Sequence, residues 1–92
     1  MTAADLKAQL QTRAEESEAL KQLWCSLMSD LCPDERQFLV WLNLHPVDRM
    51  AYSVRRTASK NVKLKGTMTQ EHAVRFCSKV ANNLKSEAEA AA

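Results

Sequence analysis

The chain has 92 residues, a formal net charge of +2, one glycine, two prolines and three cysteines. That length supports one domain near the lower limit at which a single core is self-sufficient. With so little Gly and Pro an all-β fold lacks its turns, and the prevalence of Ala, Leu, Lys, Glu, Gln and Arg predicts an all-α, small four-helix domain over residues 1–92.

The longest strongly apolar run, "FLVWL" at residues 38–42, is far too short to span a bilayer. The opening "MTAADLKAQL" has neither a basic start nor an apolar h-region. Three cysteines, an odd number, fit free thiols in a reducing compartment. The expectation is a soluble cytoplasmic protein without membrane contact.

Charge is distributed unevenly. Residues 1–45 hold seven acids and four bases, a net of −3, whereas residues 46–86 hold nine bases and two acids, a net of +7. Glu87 and Glu89 restore the total. Such polarity points to a polyanionic partner or to head-to-tail association.

A long first helix is predicted from about Thr2 to about Leu31. Ala3, Leu6, Leu10, Leu20, Trp24, Leu27 and Leu31 recur at a 3-4 spacing, interrupted by Arg13 and Ser17. Its C-terminal half, widened by Leu23 and Met28, has the apolar breadth of a core helix. Residues 1–20 read as an arm that protrudes or dimerises, with Leu6, Leu10 and Leu20 at the partner interface.

In "CPDERQFLVWLNLHP", Pro33 suits a first helical position, Asp34 and Glu35 suit the positive end of a helix dipole, and Pro46 disfavours helix at His45. Phe38, Leu39, Val40, Trp41, Leu42 and Leu44 leave almost no polar face, so this short second helix is expected to be the buried centre. A third helix should start at Pro46 and end near Lys60, with Val47, Met50, Ala51, Val54 and Ala58 inward. "NVKLKGTMT" then reads as an extended basic connector, with Val62 and Leu64 pinned to the core. The fourth helix should begin near Thr67, in a capping box with Gln70, or near Thr69 as a simple cap. Ala73, Phe76, Cys77, Val80, Ala81 and Leu84 form its stripe, and residues 87–92 are expected to fray.

The chemistry-bearing residues are sparse. Cys25 and Cys32 form no C-x-x-C knuckle, and His72 and Cys77, five apart, diverge by about 140° on a helix. No metal site is expected. His45 and His72 lie at helix ends without an orienting acid, so no Cys–His nucleophile is expected either. A single glycine rules out a Gly-rich phosphate loop. No catalytic residue, cofactor or small-molecule substrate is predicted, and the chain does not read as an enzyme.

The basic stretch "DRMAYSVRRTASKNVKLKG" is the remaining signal. Arg49, Tyr52, Arg56 and Lys60 recur at 3-4-4 spacing opposite much of the inward stripe, Arg55 flanks them, and Lys63 and Lys65 extend the charge. Arg75, Lys79, Asn82 and Asn83 on the fourth helix add a second polar and basic face. Cations grouped on one face are the footprint of backbone binding, and Tyr52 offers a stacking surface. A helix dipole accounts for Lys and Arg at a helix C-terminus, but not for a single acid, Glu71, between Arg49 and Lys85. Sequence-specific helix-turn-helix reading is disfavoured because the connector exceeds the usual three or four residues. The expected function is that of a small non-enzymatic subunit binding a DNA or RNA phosphate backbone. The alternative is an assembly adaptor that oligomerises, or joins a larger complex, through the first helix.

Overall fold

Thr2 opens the first helix. Its Oγ1 accepts the Asp5 N–H at 3.2 Å while the Asp5 carboxylate accepts the Thr2 N–H at 3.3 Å, satisfying two donors that a helix start leaves free. The structure, a computed structural model, describes residues 2–91. Helix α1 spans Ala3–Met28 and tightens into a 3-10 turn over Ser29–Leu31.

Helix α2 spans Glu35–Leu44. It starts later than expected: Asp34 is the N-cap, accepting the Arg36 N–H at 3.2 Å, and Pro33 lies ahead of it, buried. A carboxylate that satisfies a free N–H decides the boundary over the weaker preference of Pro for a first turn. His45 is extended before Pro46, as a residue preceding proline should be.

Helix α3 spans Val47–Lys63, with Pro46 as its N-cap, and α4 spans Gln70–Ala91. Residues 61–63, expected to be extended, are helical. The helix ends instead in a Schellman motif: Gly66 N–H donates to Asn61 O at 2.9 Å and Lys65 N–H to Val62 O at 3.0 Å. Lys65 and Gly66 both take positive φ, 58° and 74°. The period-2 pattern Val62/Leu64 is therefore an accident of a helix end. Leu64 packs on the core and Val62 is exposed. Thr69 is the cap of α4, accepting the His72 N–H at 3.1 Å. The Thr67 hydroxyl donates instead to Leu64 O. Residues 87–91 continue α4, and Ala92, like Met1, lies outside the described residues.

All four elements are helices joined by short turns, and no strand occurs among the described residues. Their shared core contains Leu20, Trp24 and Met28 from α1, Phe38, Trp41 and Leu42 from α2, Met50 and Val54 from α3, and Ala73, Cys77 and Ala81 from α4, closed by Met68. Trp24, Phe38 and Trp41 meet in an aromatic triangle with centroids 5.7–6.2 Å apart, within the range of favourable aromatic pairs. The Trp41 indole N–H donates to Ser78 Oγ at 2.9 Å, tying α2 to α4.

Two burial expectations are corrected. Leu20, expected at a partner interface, is only 2% exposed and lies inside the core. In α2, Leu39, Val40 and Leu44 remain 39–54% exposed. A ten-residue helix buries only the sides its neighbours reach, so α2 is an edge element with one inward face. The inward row of α1 also follows Leu20, Trp24 and Met28 at four-residue steps, leaving Leu27 exposed.

Arg13, read from sequence as an interruption, fastens α1 to α2. Its Nη1 donates to Leu42 O at 2.7 Å and to Asn43 Oδ1 at 2.6 Å, placing a cation at the negative end of α2. Beyond that clamp, residues 2–12 are exposed throughout. No helix among the described residues is long and apolar enough to cross a membrane.

Candidate nucleic-acid interface

The candidate site is built on the α3–α4 hairpin. Its turn is held by Asn61 Oδ1, which accepts the Met68 N–H at 3.3 Å. On the inner side Met50, Val54 and Thr57 meet the small residues Ala73, Cys77 and Ala81, all fully buried. Small side chains let two helices approach closely, which fixes the relative placement of their outer faces. Ser53 and Thr57, absent from the sequence-based core, are also fully buried. Each hydroxyl donates to the carbonyl four residues earlier at 2.8 Å, so neither is left unpaired.

The outer sides of the two helices enclose a shallow groove of about 240 Å³ lined by Tyr52 and Arg56 from α3 and Val80, Asn83, Leu84 and Glu87 from α4. Tyr52 is 47% exposed, with its ring available beside the apolar Val80 and Leu84. Arg56, Lys60 and Lys63 follow at four- and three-residue steps, one row on the helix surface, all exposed. Lys79, also exposed, is four residues before Asn83 and so flanks the groove on α4. None of these four cations has an ion-pair partner among the described residues. Glu87 is the one acid in the groove lining.

The other basic candidates are placed differently. Arg55 is exposed but turned about 100° from Arg56. Lys65 sits in the turn after α3. Arg75 is engaged in an ion pair with Glu71, exposed and so worth little in stability. Arg49 is half-buried and donates to His45 Nδ1 at 3.2 Å. A guanidinium can only donate, so this contact favours a ring nitrogen that accepts, as in the neutral imidazole. Burial, with Arg49 and Lys85 nearby, holds the His45 pKa below its ordinary 6.5, opposed by Asn82. A second cationic pair, Arg49 and Lys85, therefore flanks His45. Lys85 was visible from sequence only as part of a count.

The partner-interface candidates separate as well. Leu6 and Leu10 stand 50% and 63% exposed on the projecting end of α1, while Leu20 does not reach the surface. A surface depression of about 430 Å³ is lined by Ala8, Gln9, Thr12, Arg13 and Glu16 of α1 alone. It is an open flank, and its Arg13 is committed to α2.

Chemically, the groove offers an aromatic face, a bidentate donor in Arg56, an amide in Asn83 that can donate and accept, and a row of ammonium groups. Nothing in its lining forms a nucleophile–base pair. No cluster of three or more His, Cys, Asp or Glu side chains suited to a metal occurs among the described residues. Val80, Asn83 and Leu84 complete the groove. From sequence Asn83 belongs to the polar face of the fourth helix with Arg75 and Lys79, whereas the proximity of Val80 and Leu84 to Tyr52 follows only from helix packing. No protein-family model, curated protein or solved structure matches the chain.

Proposed function

We propose that the protein is a non-enzymatic nucleic-acid-binding subunit that holds a single-stranded phosphate backbone along α3, with an unpaired base on Tyr52. The observation that carries this reading is the half-exposed Tyr52 ring in a groove with Arg56 and Asn83, continued by the row Arg56, Lys60 and Lys63, which has no ion-pair partner among the described residues. Phosphates are attracted by that row, and an aromatic face between them accepts any base. Fluorescence anisotropy of labelled single- and double-stranded oligonucleotides, at low and physiological salt, tests it. Binding should weaken steeply with salt and favour the single strand. Tyr52→Ala should cost about tenfold in single-strand affinity, within the range of one lost stacking contact. Absence of binding to every oligonucleotide at low salt would remove the assignment.

A second reading has its own support. Residues 2–12 are exposed along a capped helix that carries Leu6 and Leu10 outward. A helical stretch this short is marginal in water without tertiary contacts. In this reading a second copy of the chain covers the arm, its basic half facing the acids of α1. Leu10→Glu would then convert a concentration-dependent dimer to monomer in light scattering. A monomer at every concentration rejects it.

A further inference from the structure

Cys25 and Cys32 lie seven residues apart in sequence and are both half-buried, yet their Sγ atoms are 2.9 Å apart. Cys25 lies in the last turn of α1. The 3-10 turn Ser29–Leu31 folds the chain back, and Cys32, extended at φ −64° and ψ 121°, returns its side chain to that helix. We infer that Cys25 and Cys32 are a redox-active dithiol, closing to an intramolecular disulfide with a low-molecular-weight disulfide such as oxidised glutathione as oxidant.

A disulfide bond is about 2.05 Å long, so the two sulfurs need to approach by less than about 1 Å. The backbone that must yield is a single 3-10 turn. In the first step a protein thiolate attacks one sulfur of oxidised glutathione, forming a mixed disulfide and expelling one glutathione thiolate. In the second step the other protein thiolate attacks the protein sulfur of that mixed disulfide and expels the second glutathione. Two protein thiols become one disulfide, and oxidised glutathione becomes two reduced molecules that carry the two protons. Proximity makes the second step intramolecular and lets it outrun hydrolytic or bimolecular alternatives.

Burial and the adjacent Cys25 sulfur push the Cys32 thiol up to about 11, with Lys21 opposing. Cys32 is thereby disfavoured as the first attacker, because the thiolate is the nucleophile. Cys77 takes no part. It is fully buried, and burial pushes its thiol up to about 12, with the neighbouring Thr57 hydroxyl opposing. The bond would close the corner where three helices meet, since the Cys32 carbonyl already accepts the Gln70 side-chain N–H of α4 at 2.8 Å.

The test uses the full chain equilibrated in mixtures of reduced and oxidised glutathione, acid-quenched, denatured, alkylated and weighed by mass spectrometry. The expected result is a fall in alkylatable thiols from three to one, with a Cys25–Cys32 linked peptide and no retained glutathione. Cys77→Ser should leave that loss of two thiols intact, and Cys25→Ser should abolish it. Three alkylatable thiols in excess oxidised glutathione, a persistent glutathione adduct on the wild-type chain, or a disulfide-linked dimer would each overturn the inference. The wild-type measurement decides the matter even if a cysteine variant fails to fold.

Discussion

Replacing Arg56 and Lys60 together by alanine tests the proposed backbone contact quantitatively. Both side chains are exposed on the outer face of α3, and neither has an ion-pair partner among the described residues, so the fold should be unaffected. With Lys63 and Lys79 they make a footprint of four free cations at the groove. Each phosphate contact on a single strand contributes about −0.7 to the slope of log affinity against log salt, so four predict about −2.8. Raising salt fourfold would then weaken wild-type binding about fiftyfold, against about sevenfold for the double variant, whose slope falls to about −1.4. Anisotropy titrations of a labelled oligothymidine at four or more salt concentrations measure both slopes, with circular dichroism as the control for folding. A double variant that keeps the wild-type slope refutes the reasoning, because its contacts would then lie elsewhere.

Three further outcomes are expected from the local geometry. Ser78→Ala removes the acceptor of the buried Trp41 indole N–H and should cost about 1–3 kcal/mol in urea unfolding, the usual penalty for a stranded donor; an unchanged midpoint would mean the bond contributes nothing. Lys65→Gly relieves a side chain held at φ 58° and should raise stability by about 1 kcal/mol, the left-handed cost less the added freedom of the unfolded chain; a lower midpoint would contradict it. The fold holds the His45 pKa below 6.5, so the unfolded chain binds the proton more readily. Its contribution to stability is complete above about pH 6.5 and is lost as pH falls from there through the lower native value. Stability of His45→Asn should therefore decline less than wild type on acidification, and parallel pH profiles from chemical denaturation would reject the coupling.

Much of this architecture was written in local pattern. Pro46 and the extended His45 separate α2 from α3, Thr69 caps α4, and the stripe Ala73, Cys77, Ala81 has the period of a helix against its neighbour. The one-sided charge of the C-terminal half needed no coordinates either. What local pattern could not supply was which side of each helix a neighbour would reach. Val40 and Leu44 are as apolar as Trp41 and Leu42, and only the positions of the neighbouring helices leave the first pair exposed. Arg13 looked like a break in a seam until its guanidinium met the end of α2. Val62/Leu64 alternation resembled a strand because two residues carry too little periodicity to distinguish a helix end from an extended segment. Cys25 and Cys32 are far apart by any linear motif, and one 3-10 turn brings them within 2.9 Å. Composition and periodicity thus determined that four helices form and where charge accumulates. Tertiary packing decided which residues meet, because side chains from different helices become neighbours only when burial of the shared core fixes the helices against one another.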